Sequence, residues 1–314
     1  MLTDYAWGDP QLEHARLAAV GLELIAGPKA AAPAQVIETL CRTHQPRAIM
    51  TCWAQVNARA IAACPDLELV ARIGVGLDNI DRHAAAACGA VVTNVPDYCV
   101  EEMSDHAIAL PLDWARGVTL NDRDVKRGLW DPSRPTPRRM RTLSVGIAGF
   151  GRIGRMVARK LRGFGCRLLA YGRSRAPDHP ADVAWVDFDT LLADSDAIIV
   201  LLPLAPDTRH IFGARAFSKM KPSSLLINIS RGGLVDNAAL LDALRQGRPG
   251  VAALDVVEGE PEPPAAVVTH PQVIATPHIA FSSPTSVDEL RLRAVEEVIR
   301  VLAGETPRNP VPPP

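Results

Sequence analysis

The stretch "LSVGIAGFGRIGRMVARKL" (143–161) narrows the fold more than any other part of the chain. A continuous apolar run ends in Gly149-Phe150-Gly151-Arg152-Ile153-Gly154, and a helical pattern begins at once. A strand, a glycine-spaced loop and a helix in that order make the first turn of a βαβ unit. Gly149 permits the tight turn, Gly151 lets a ligand pyrophosphate approach the backbone, and Gly154 lets helix and strand pack closely. The helix N-terminus then presents N–H groups to phosphates. The glycine spacing alone is a weak signal. The flanking strand and helix favour a dinucleotide loop over a plain glycine-rich turn.

Further apolar runs alternate with helix-length stretches along the chain. Strands are expected at 22–25, 48–51, 67–73, 143–148, 167–171, 197–202, 225–230, 251–256 and 273–276. Continuous apolar strands separated by helices indicate a parallel sheet covered on both faces. Asp236 is placed to cap the helix in "DNAALLDALRQG", and Gly247 to end it. Residues 1–98 make a small α/β unit, and a long helical pattern starts near Val100. A Pro- and Arg-rich loop, 131–141, precedes a new sheet at Leu143. The final helical pattern has Thr285 and Asp288 spaced as a capping box. The tail "NPVPPP" is expected to be extended or disordered.

Composition excludes several classes. The 314 residues are 47% hydrophobic and 22% charged, as in ordinary soluble proteins. The net charge is −1 with no long like-charge block, which argues against a nucleic-acid partner. The most apolar run, 197–205, is far shorter than the roughly 20 residues of a membrane span. "MLTDYAWGDP" has no signal-peptide pattern. Six cysteines, none in CxxC spacing, suggest neither a metal site nor a redox dithiol, and buried free thiols of a cytoplasmic protein are expected.

Ligands of open α/β sheets bind beyond the carboxyl ends of the strands. Arg231, Asp255, Glu260 and His278 fall at or just past such ends. An arginine, a carboxylate and a histidine together suit reduction of a 2-oxo acid. The guanidinium holds the substrate carboxylate bidentately, and the imidazole donates the proton that accompanies hydride delivery. A carboxylate behind the imidazole fixes its tautomer and raises its pKa. The loop "RIGVGLDNID" (72–81) lacks a third glycine and reads either as an anion nest or as a plain βα turn.

Several motifs, in this order, resemble the D-2-hydroxyacid dehydrogenases: "RIGVGLDNID", "GFGRIG", "PLAPDTRHI", "INISRGGLVD", "AALDVVEGEP" and "TPHIA". "NVPDYCVEEMSDHA" and "HIAFSS" look most like the branch of C-terminal-binding proteins and phosphoglycerate dehydrogenase-like enzymes. The resemblance implies an α/β fold of two Rossmann/flavodoxin-like, doubly wound parallel-sheet domains with a cleft between them. It implies a substrate domain of 1–98 plus 284–314, a dinucleotide-binding domain of 99–283, and a homodimer. It also implies roles. Arg231 would bind the substrate carboxylate and keto oxygen, with His278 as general acid–base and Glu260 as its partner. Val75 and Gly76 would give backbone N–H groups to the substrate, and Trp53 could line the pocket. Gly149, Gly151, Arg152, Ile153, Gly154, Arg173, Ser174, Pro203, Thr208, Ile229, Asp255 and His278 would border the cofactor. Asp255 would contact the nicotinamide carboxamide. Leu202 and Phe281 depart from residues common in the family and leave the substrate open. No regulatory domain follows the last helix, so allosteric control by serine is not expected.

"YGRSR" (171–175) completes the reading. An acidic residue that grips the adenosine ribose is expected about 20 positions beyond the glycine loop. Gly172 stands there, followed by Arg173, Ser174 and Arg175. Without the acid nothing repels a 2′-phosphate, and the arginines and serine can bind one, so NADP(H) is favoured over NAD(H). A solvated basic turn is the other reading. Two alternatives to a 2-oxo acid reductase stay open. One is a dinucleotide-sensing binding protein like the C-terminal-binding corepressors, and the other is a hydride enzyme with a non-keto-acid substrate, as in phosphite oxidation.

Overall fold

A computed structural model of the chain describes residues 1–5, 7–133, 137–175 and 177–314. The chain forms two compact units, Met1–Tyr98 with Ser283–Pro314, and Cys99–Ser282. Of the Pro- and Arg-rich stretch 131–141, residues 134–136 lie outside the described residues. No helix among the described residues is long and apolar enough to cross a membrane.

In the first unit, β1 (Ala48–Thr51), β2 (Leu69–Arg72) and β3 (Val91–Thr93) pair in parallel in that order. Single parallel bridges set Leu2 beside Met50 and Ala26 beside Leu2. The five segments therefore run second, first, third, fourth, fifth, which is the flavodoxin-like order. The strand expected at 22–25 does not form. Its only neighbour is the single-residue bridge at Leu2, so there is no ladder for it to extend. The tail is extended, and its Pro310 bridges Thr93 antiparallel.

The last helix, Pro284–Leu302, lies in this unit. Its capping box is Ser283 with Ser286, not Thr285 with Asp288. The Ser283 hydroxyl accepts the Ser286 amide at 3.0 Å, and the Ser286 hydroxyl accepts the Ser283 amide at 2.9 Å. Pro284, whose fixed φ suits the first helical position, sets the earlier start.

The second unit is a seven-stranded parallel sheet. Its strands are β4 (Ser144–Ala148), β5 (Arg167–Tyr171), β6 (Val183–Trp185), β7 (Ala197–Val200), β8 (Leu225–Asn228), β9 (Val251–Leu254) and β10 (Val273–Ala275). They run in the order β10-β9-β8-β7-β4-β5-β6. The order reverses between β4 and β7, the switch point where open sheets bind ligands. Helices Val100–Arg116 and Arg152–Leu161 bury apolar residues against one face, and Phe188–Asp194, Ala214–Lys219 and Asn237–Arg245 against the other. Strands β3 and β6 were not expected from the sequence. Each is three residues long, and β6 is an edge strand.

Register aligns the carboxyl ends of six strands. Tyr171, Ala148, Val200, Asn228, Leu254 and Ala275 form one row across the sheet. The segments after that row carry Gly172–Arg175, the glycine loop, Pro203, Arg231, Asp255 and His278.

Candidate active site

The glycine loop has the geometry a pyrophosphate needs. Gly149 has φ +108°, and a Cβ there would sit 2.5 Å from the Leu201 carbonyl carbon. A Cβ on Gly154 would sit 2.3 Å from the Gly149 oxygen, so helix and strand meet at that residue. A Cβ on Gly151 would point into open space. The helix Arg152–Leu161 has no side-chain cap at its N-terminus, so its first amides, from Arg152, Ile153 and Gly154 onward, face outward for a phosphate. Arg173, Ser174 and Arg175 are exposed, and no carboxylate stands at 172. The residues present therefore fit a nicotinamide dinucleotide. Across the switch point, the Thr208 hydroxyl donates to the Pro203 carbonyl at 2.7 Å and accepts the Ala205 amide at 2.8 Å, closing that loop on itself. Ile229 has its side chain buried and offers a ligand only its backbone.

His278 and Glu260 meet. Nδ1 of His278 lies 3.1 Å and 3.2 Å from the two carboxylate oxygens of Glu260. A carboxylate can only accept, so Nδ1 carries the proton and Nε2 is the atom left for proton exchange with a substrate. His278 has φ +53°, a left-handed conformation that costs a non-glycine residue on the order of 1 kcal/mol or more. The surrounding hydrogen bonds hold it there.

Those bonds come from Asp255, which is 2% exposed. Its backbone carbonyl accepts the His278 amide at 2.8 Å. Oδ1 accepts the Thr276 hydroxyl at 2.6 Å and the Ile279 amide at 2.9 Å, and Oδ2 accepts the Ala280 amide at 2.9 Å. Both oxygens of Asp255 thus serve the loop that carries His278.

Arg231 follows β8. Its turn is held by Asn228, whose side-chain amide donates to the Arg231 carbonyl at 2.9 Å and whose oxygen accepts the Ser230 amide at 3.2 Å. Arg231 Nη1 donates to the Ser230 carbonyl at 2.8 Å.

In the first unit, Trp53 and Val75–Gly76 lie on the loops after β1 and β2. Buried Asp4 accepts the amides of Cys52, Trp53 and Ala54 at 2.7–3.2 Å. Asn79 ties the two loops by donating to the Ala54 carbonyl at 2.9 Å. Asn94 holds the Val75 carbonyl at 2.8 Å, and Val95 donates to the Gly74 carbonyl at 3.0 Å. Among the described residues no acceptor takes the Val75 or Gly76 amides, which keeps the anion-nest reading open.

Sequence reasoning missed Asn228, Thr276, His106 and Arg72. His106 Nε2 lies 3.3 Å from the Thr276 hydroxyl, behind Asp255. Arg72, 6% exposed, ends β2 with its guanidinium 5.7 Å from the Trp53 ring centre. The signal for Arg72 and Asn228 was present, since a polar residue ending an apolar strand is already unusual.

Comparisons with known proteins agree with this geometry. Residues 108–280 match the family model "D-isomer specific 2-hydroxyacid dehydrogenase, NAD binding domain". The chain is 38% identical to the D-3-phosphoglycerate dehydrogenase of Mycobacterium leprae over 80% of its own length and 48% of that protein's. It thus spans about half the length of the phosphoglycerate dehydrogenases it matches. It is 34% identical to the glyoxylate reductase of Thermococcus litoralis, covering 81% of this chain and 80% of that one. The crystal structure of TT0316 protein from Thermus thermophilus superimposes with a TM-score of 0.90 at 29% identity, covering 99% and 100% of the two chains. The chain belongs to the D-isomer-specific 2-hydroxyacid dehydrogenase family.

Proposed function

We propose that the chain reduces a small 2-oxo acid to the D-2-hydroxy acid, with NADPH favoured over NADH. The observation that carries this reading is the Glu260–His278 pair, 3.1 Å apart, at the same edge of the sheet as the glycine loop. His278 Nε2 donates the proton to the keto oxygen, and Glu260 holds the ring and offsets its positive charge. Arg231 binds the substrate carboxylate and polarises the carbonyl. The amides of Val75 and Gly76 are assigned to the same carboxylate, and Trp53 to the substrate side chain. The nicotinamide supplies the hydride when bound. Gly149 to Gly154 hold its pyrophosphate, Pro203, Thr208 and Ile229 border it, and Arg173 and Ser174 take the 2′-phosphate.

The relatives' names point to glyoxylate and glycerate, so glyoxylate and hydroxypyruvate lead the first panel, with phenylpyruvate as a bulky comparison. Turnover of one of them with NADPH above NADH is expected. No turnover with any, while cofactor still binds, would favour a dinucleotide-sensing binding protein. His278→Ala should lose about 10²–10⁴-fold in kcat and keep cofactor affinity. Near-parental kcat in that variant would remove His278 from the chemistry.

A homodimer is proposed from the segment after Gly117. The helix Val118–Lys126 buries none of its residues. Val118, Leu120, Val125, Leu129 and Trp130 are all exposed, Trp130 by 84%. Such apolar exposure suits a second copy. A monomer in light scattering would contradict it. A cytoplasmic location is proposed from the cysteine usage of the sequence, six residues with no CxxC spacing.

A further inference from the structure

Gly172 is not required by its backbone. Its φ lies outside the left-handed range, so any residue could adopt that conformation. Space is what limits the position. A Cβ there would sit 3.2 Å from Cη2 and 3.8 Å from Cζ2 of Trp185, and 3.8 Å from the Phe150 nitrogen.

An indole edge could normally swing aside. This one is held. Trp185 ends β6, registered with Ala170, and the next amide, of Val186, donates to the Ala170 carbonyl at 3.0 Å. Its ring meets His179 edge-on at 5.3 Å and Phe150 edge-on at 6.4 Å. Phe150 and His179 in turn meet at 5.1 Å. His179 is fixed by Nε2 donating to the Val183 carbonyl at 2.7 Å. On the outer side of Phe150, the Arg155 guanidinium lies 5.6 Å from the ring and pairs with Asp178 through two bonds of 2.9 and 3.2 Å. Three interlocked rings thus join the glycine loop to the sheet edge, and moving one disturbs the others.

We infer that Trp185 is a specificity-determining residue: its ring crowds a side chain at 172, and so disfavours the carboxylate that would select NAD(H). The inference rests on the NADPH reading. It adds that the missing acid is enforced by packing, and that exchanging Gly172 alone will not convert the cofactor preference. Arg173 and Ser174 are exposed beside it.

The test is a set of single and double variants: G172A, G172D, W185V, G172A/W185V and G172D/W185V. Two readouts are taken, Tm of the cofactor-free protein and Kd for NADPH and NADH by calorimetry. With Trp185 present, G172A should lower Tm by about 2–6 °C, the effect of overpacking. In the W185V background the same change should leave Tm unaltered. G172D/W185V should bind NADH about tenfold tighter and NADPH about tenfold weaker than W185V, as gained and opposed charge-assisted bonds require. G172D alone should gain little for NADH. Additive Tm effects, or a tenfold NADH gain from G172D with Trp185 in place, would overturn the inference while the NADPH preference stands. An unsubstituted chain that binds NADH more tightly than NADPH would instead overturn the cofactor reading, and the selectivity role with it.

Discussion

The backbone carbonyl of Asp255 accepts the amide of His278 at 2.8 Å, and the Asp255 carboxylate accepts the next two amides, of Ile279 and Ala280, at 2.9 Å each. One buried aspartate therefore fixes three consecutive residues, the first of which has φ +53°. D255N puts an amide nitrogen where a carboxylate oxygen now accepts an N–H. Whichever way the amide turns, a buried donor meets a donor. The His278 ring should shift, with a loss in kcat of about 10²-fold from misplacement. Stopped-flow reduction of a 2-oxo acid measures this, and a kcat within about twofold of the parent would rule the anchoring role out.

Glu260 accepts from His278 Nδ1 at 3.1 Å. E260Q keeps the shape and removes the anion that faces the imidazole as it gives up its proton. kcat should drop about tenfold or more, with KM little changed. A kcat within about twofold of the parent would mean that Glu260 only orients the ring.

Thr276 stands between His106 and Asp255, donating to Asp255 Oδ1 at 2.6 Å with His106 Nε2 3.3 Å behind it. T276V is nearly isosteric but leaves Oδ1 without that donor. A loss of roughly tenfold in kcat is expected, with KM little changed, because the defect reaches the substrate only through His278. T276S restores the hydroxyl and should recover most of the rate. A T276S as impaired as T276V would assign the effect to the methyl group's packing instead.

These residues also show how far the sequence could be read. β7, β8 and β9 are buried on both faces and spell continuous apolar runs, so they are legible one by one. β3 and β6, three residues each, carry too little pattern, and the run at 22–25 looks like a strand but is followed only by a single bridge at Ala26. Glu260 and His278 are legible because their chemistry needs no partner to suggest it. The anchoring by Asp255 is not, since a sequence does not show which amides a carboxylate accepts. Gly172 is the sharpest case. Its lack of an acid is plain in the sequence, but the indole that would stand 3.2 Å from a Cβ at that position comes from another strand and is visible only in three dimensions.

The first unit is held by an ion pair of different character from those on its surface. Arg291 on the last helix donates to both oxygens of Glu13 at 2.7 Å, and again to the Asp9 carbonyl at 2.7 Å. Glu13 is fully buried, and the hydrogen bonds to it hold the Arg291 guanidinium still further above its usual range. E13Q would leave a largely covered guanidinium facing an amide group inside the unit, and should cost about 2–4 kcal/mol in urea unfolding. Arg47–Glu68 offers the contrast. Both of its side chains are exposed, by 53% and 40%, so E68Q should cost less than about 1 kcal/mol. A loss in E13Q as small as that in E68Q would show that burial does not separate the two pairs, and that the apolar stripe of Leu290, Ala294, Val295 and Val298 contributes more to holding the last helix than this ion pair does.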